Sequence, residues 1–166
     1  MSQLISIPVV LLLLSFQIGG FSKITILNGF GDILIVWLAA WVILEKNRQG
    51  WVWFLVAALF SIFISGMPWY ANALGFSLLF GLGAFVKKRL WQSPLLSFYL
   101  VLTIGSLLFY FVSLFSVQTS NVPIILKESM TSIIMPSLLI NLIMSFPVYL
   151  IVKDLVYWLH PQEDIP

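Results

Sequence analysis

The chain has 166 residues, of which 61% are hydrophobic and only 8% charged, and its mean hydropathy is +1.08. A soluble domain of this size does not carry so much apolar surface, whereas transmembrane helices require it. There are no cysteines, so a disulfide framework and a Cys-based metal site are both excluded, and the net charge of +2 comes from short basic loops without the basic stripe that a nucleic-acid partner would need.

The first apolar run covers residues 4–21. It lacks a basic leader and a small-residue cleavage site, so it reads as a retained helix and not a signal peptide. Gln17 is its one strongly polar side chain, and Gly19-Gly20 loosen its exit. Residues 23–31 are too polar to span, and Asn28, Gly29 and Gly31 predict a turn at the membrane interface. Asp32 opens the second run, 32–44, which is short for a span. Its carboxylate is placed to face the positive end of that helix.

A charged loop, Glu45-Lys46-Asn47-Arg48-Gln49-Gly50, leads to the third run, 51–67. Ala57, Ser61 and Ser65 recur every four residues and form a small-residue face that lets another helix come close. Pro68 suits the first helical position of the fourth run, 69–86. Ala73, Ser77 and Gly81 make a second small-residue row there, expected to pack against a neighbouring helix. Lys87-Lys88-Arg89 stop that run. Pro94 begins the fifth, with its body at 95–117, and a polar connection over 118–132 leaves room for a short interfacial helix.

The sixth run, 133–152, carries the most informative polar pattern. Ser137, Asn141, Ser145 and Tyr149 are four apart, so on a helix they form one polar row amid Leu, Ile, Met and Phe. Pro136 and Pro147 bracket it. Water cannot satisfy Asn141 at that depth, so protein must. The row reads either as an assembly surface or as glue between helices of one chain. Residues 153–166 form a short tail, with Tyr157 and Trp158 at interface depth, and the tryptophans in general read as an aromatic belt near span ends.

The expected fold is therefore an all-α integral membrane protein, with six transmembrane helices in one compact bundle. Lys46, Arg48, Lys87, Lys88, Arg89 and Lys153 fall on the side of the termini, against Lys23 and Lys127 opposite. That asymmetry places both termini in the cytoplasm.

Catalysis finds little support. Gly29-Phe30-Gly31-Asp32 matches the tetrapeptide of intramembrane aspartyl proteases, but that chemistry needs a second aspartate within the membrane, and none exists. His160 is the only histidine and cannot build a metal site alone. Ionisable residues in mid-span, the usual mark of an ion-coupled carrier, are missing. Neither enzymatic activity nor a cofactor is expected.

Taken in order, several segments resemble the bacterial rod shape-determining MreD family. The most specific are Pro136-Ser137-Leu138-Leu139-Ile140-Asn141 and Phe146-Pro147-Val148-Tyr149. Gly31-Asp32-Ile33-Leu34 resembles the Pro-Asp-Leu-Leu that opens the family's second helix, with Gly31 in place of proline, and Trp51 to Pro68 resembles the third-helix region. The acidic residue that many members carry late in that helix is replaced here by Phe60-Ser61-Ile62-Phe63. The resemblance implies a non-enzymatic subunit of the bacterial cell-elongation machinery in the cytoplasmic membrane. It would bind an MreC-like protein and act with MreB, RodA and a class B penicillin-binding protein in lateral peptidoglycan synthesis. It also implies a fold similar to the substrate-binding subunits of energy-coupling-factor transporters. The rival reading is accordingly a small vitamin-type transporter subunit, which should show convergent polar groups near the outer ends of several helices.

Overall fold

A computed structural model describes residues 2–20, 25–26, 28–45, 50–89, 93–119 and 126–159. The element order is α1 (Ser2–Gly19), β1 (Thr25–Ile26), β2 (Gly29–Phe30), α2 (Ile33–Leu44), α3 (Trp51–Ile64), α4 (Trp69–Arg89), α5 (Pro94–Thr119), α6 (Leu126–Ser129) and α7 (Met135–Leu159). A single π turn, Met130–Ile134, joins α6 to α7. Three stretches are long and apolar enough to cross a membrane: Trp69–Arg89, Pro94–Thr119 and Met130–Leu159.

The centre of the fold is α2. Every residue from Leu34 to Leu44 is buried. A helix that is apolar all round has no solvent face to offer, and it is stable only when wrapped on every side. Here α4, α5 and α7 pack against α2, and so do α1 and α3. The wrapping helices follow one another, with α1 against α3, α3 against α4, α4 against α5 and α5 against α7. At 12 residues, α2 is about 18 Å long, well short of a hydrocarbon core of about 30 Å. Its ends stop inside protein, so its terminal N–H and C=O groups need protein partners.

Glycines let the wrapping helices approach. A Cβ on Gly83 would collide with Val42 of α2, and one on Gly105 with Leu79. Phe109 fills the space over Gly75 and tilts against Phe76, ring centres 5.1 Å apart.

Several expectations change in the structure. The 153–166 tail is not all tail, because α7 continues to Leu159; Val152 and Val156 are buried and hold that extension to the core. The third run ends at Ile64 and not Met67, because Ser65 turns extended and its hydroxyl accepts the Met67 N–H at 3.1 Å. Pro68 lies just before α4 and not in it, with its carbonyl accepting from Ala71 N–H at 3.0 Å. The predicted turn at 23–31 contains a two-residue antiparallel hairpin, pairing Thr25 with Phe30 and Ile26 with Gly29. The aromatic-belt reading fails for three tryptophans. Trp37, Trp41 and Trp53 are core residues, and Trp41 stacks on Trp53 with ring centres 3.9 Å apart. Trp51, Trp69 and Trp158 remain exposed at helix ends. Lys23, Lys46, Arg48, Lys127 and His160 lie outside the residues whose side chains are described.

Candidate functional site

The polar chemistry of the chain gathers at the two ends of α2. At the first end, the extended segment after β1 lies along the start of α7. Three alternate backbone N–H groups point at it. Asn28 donates to the Ser132 carbonyl at 3.1 Å, Phe30 to Ser137 Oγ at 3.0 Å and Asp32 to Asn141 Oδ1 at 2.7 Å. Alternate residues of a strand are about 6.7 Å apart, and residues four apart on an α-helix about 6 Å. A strand can therefore be laid along a helix rung by rung. The first interval on α7 is five residues long, and it includes the end of the π turn, where the helical register gains a residue.

Gly29 and Gly31 make the close approach possible. A Cβ on Gly29 would lie 2.6 Å from Pro136 Cβ, and one on Gly31 2.7 Å from Ile140 Cγ2. Only a residue without a side chain fits at either position. The Gly-x-Gly-Asp tetrapeptide is thus a packing device, and Asp32 follows as a helix cap. Its Oδ1 accepts from Leu34 N–H at 3.2 Å and Ile35 N–H at 3.3 Å. Those are two of the orphan donors at the start of α2.

The Asn141 amide is oriented by its neighbours. A backbone N–H can only donate, so the oxygen faces Asp32, and the nitrogen donates to the Tyr110 hydroxyl at 2.9 Å. The Ser137 side chain lies beside the Tyr110 hydroxyl, and the Gln17 side chain of α1 lies beside the Asp32 carboxylate. Groups from α1, α5 and α7 thereby close on the start of α2. Sequence reasoning singled out Asp32, Ser137 and Asn141, and it missed Tyr110. A tyrosine in the middle of an apolar helix was the available signal.

At the other end of α2, Lys87 reaches across from α4. Its ammonium donates to the carbonyl oxygens of Val42, at 3.2 Å, and Glu45. The Trp41 indole N–H donates to Glu45 Oε2. Glu45 was read as part of a charged loop, yet it is only 1% exposed. It sits one helical turn after Trp41, so the indole can hold its carboxylate inward.

The other candidate residues divide cleanly. Pro136, Ser145 and Tyr149 are buried on α7, and the Tyr149 ring lies 5.0 Å from that of Phe98. Ser145 Oγ donates to the Leu142 carbonyl at 2.5 Å. Pro147 is exposed within α7. On α3, Ala57 and Ser61 are buried, and Ser61 Oγ donates to the Ala57 carbonyl at 2.6 Å. On α4 the row behaves differently. Ser77 and Gly81 are exposed, and a Cβ on Gly81 would meet nothing within 4 Å. Ala73 is half-buried and, with Ser77, borders an open groove shared with α3, so the row is only partly covered by a neighbouring helix.

Among the described residues, no group of three or more His, Cys, Asp or Glu is placed to hold a metal ion. Compared with family models, curated proteins and solved structures, the chain shows no significant match.

Proposed function

We propose that this chain is a six-span subunit of the bacterial cell-elongation machinery, of the kind the MreD-like motifs indicate, and that it works by holding an MreC-like partner within the cytoplasmic membrane. The supporting observation is how the polar groups are used. The residues that carry the family resemblance, Asp32, Pro136, Ser137 and Asn141, serve one internal clasp and leave little free for catalysis or for a polar ligand. A row on α4, by contrast, stays open. Leu74, Ser77, Leu78 and Gly81 are exposed along it. A small-residue face permits the close backbone approach by which helices associate in lipid, where apolar surface alone gives no preference.

In this reading α1, α2 and α3 are the shorter spans, and α2 is short because protein surrounds it. Both termini face the cytoplasm, following the basic residues. Cysteine labelling tests the topology, since the chain has no cysteine of its own. Lys88→Cys should resist a membrane-impermeant thiol reagent in intact cells, and labelling from outside would overturn the orientation.

Affinity purification from native membranes, followed by mass spectrometry, tests the function. Recovery of a single-span MreC-like protein is the expected result. Recovery of an ATPase module with a second transporter subunit, and no MreC-like protein, would favour the vitamin-type transporter reading instead.

A further inference from the structure

Between α3 and α4 runs an open groove of about 330 Å³, lined by Trp51, Phe54, Ala58, Ala73, Phe76 and Phe80 among others. We propose that this groove seats one acyl chain of an anionic phospholipid, whose phosphate is held by Lys88.

The lining sets the chemistry of the occupant. It is made of aromatic rings and small aliphatic groups. Its hydroxyl, Ser77 Oγ, is already bonded to the Ala73 carbonyl at 2.7 Å. A polar ligand would therefore lose its hydration without gaining a partner. A hydrocarbon chain loses nothing.

The cation inventory sets the headgroup. Three basic residues end α4, and two of them are engaged. Lys87 is committed to the end of α2, and the Arg89 guanidinium lies 5.7 Å from the centre of the Phe85 ring. Lys88 is exposed and has no side-chain partner among the described residues. It also lies on the groove side. Ser77, Gly81, Ala84 and Lys88 are spaced four, three and four residues apart, which keeps them on one face of the helix.

The length agrees. From Ala73 to Lys88 the helix rises about 22 Å. One leaflet, with its headgroup layer, is about 20–22 Å deep. A lipid whose phosphate meets Lys88 thus carries its chain to the far end of the groove. A net negative headgroup is favoured over a zwitterionic one, because a single positive charge faces it without a counter-ion.

The test is lipid titration of the purified full-length protein, read by native mass spectrometry, with phosphatidylglycerol and phosphatidylcholine as the two probes. The wild type should prefer phosphatidylglycerol by about five-fold, the effect of one lysine near an anionic lipid surface. Lys88→Gln should abolish the preference, while Arg89→Gln should keep it. Ala73→Leu, which fills the groove, should weaken both lipids equally. A preference that survives Lys88→Gln would overturn the proposal, and so would lipid binding that ignores Ala73→Leu. It would also fall if Ala58→Cys, on the α3 wall of the groove, cross-linked in native membranes to a second copy or a partner helix, because a helix would then occupy the groove itself; a helix on the neighbouring Leu74 and Leu78 face leaves the groove free.

Discussion

Two rows of small and polar residues run along this protein at the same four-residue spacing, and they have opposite surroundings. On α7, Ser137, Asn141, Ser145 and Tyr149 face inward. On α4, Ser77 and Gly81 face outward. The difference lies in what each row can reach. The α7 row carries an amide and a hydroxyl with unspent bonding capacity, and a strand segment more than a hundred residues away in sequence supplies matching N–H donors. The α4 row has only the Ser77 hydroxyl, which folds back on its own helix. Spacing brings residues onto one face; unsatisfied bonding capacity decides whether that face is drawn inward.

The strongest way to break the contrast is to block the inward row. Gly29→Val would place a side chain where the Ser137 nitrogen lies 2.5 Å away. Backbone cannot yield there, so the hairpin should fail to seat, at a cost of about 3 kcal/mol, the top of the usual range for overpacking. Thermal unfolding of the solubilised protein measures it, and a variant as stable as wild type would refute the clasp.

Asn141→Leu comes next. It leaves the Asp32 N–H and the Tyr110 hydroxyl without their partner. Buried unsatisfied groups cost about 1–3 kcal/mol each, yet hydrogen bonds in membrane proteins average about 0.6 kcal/mol, so a loss of about 1–2 kcal/mol is expected. A double-mutant cycle with Tyr110→Phe isolates the pair. Additive losses would mean that the two side chains are not coupled.

The ends of α2 offer a finer comparison. Asp32→Ala removes the cap on Leu34 and Ile35 and should cost about 1 kcal/mol. Asp32→Asn should cost much less, because asparagine caps nearly as well. A purified protein that cleaved a membrane substrate in an Asp32-dependent way would contradict the capping role altogether.

The smallest effect is expected on the outward row. Gly81→Ala adds a methyl group where nothing stands within 4 Å. It should leave stability unchanged or raise it by up to about 1 kcal/mol, the usual helix penalty of glycine. If it nevertheless reduces recovery of the partner from native membranes, the row acts between chains and not within one.

These cases also show what could be read in advance. Long apolar runs announced α4, α5 and α7. Asp32 was legible as a cap because a carboxylate directly before an apolar run has few other uses. Asn141 announced that it needed a partner, but not which one, because the partners lie 31 and 109 residues away in sequence. The central place of α2 was hidden by its length. A 12-residue apolar run fits a thinned membrane as well as a protein interior, and only the packing of its neighbours separates the two. Lys87 was read as a stop signal and Glu45 as loop charge, since nothing local shows that one reaches the carbonyl of the other.

The clasp at the start of α2 has a consequence for how the protein is made. Asp32 is synthesised long before Asn141. At ribosomal rates the 109-residue gap lasts about 5–20 seconds. Throughout that interval the 12-residue α2 lacks the acceptor that its Asp32 N–H finds in the finished fold. A chain that stops before α7 keeps the apolar α2 without one of the helices that bury it and leaves the Asp32 N–H unpaired, so completion of the fold waits on its last long helix.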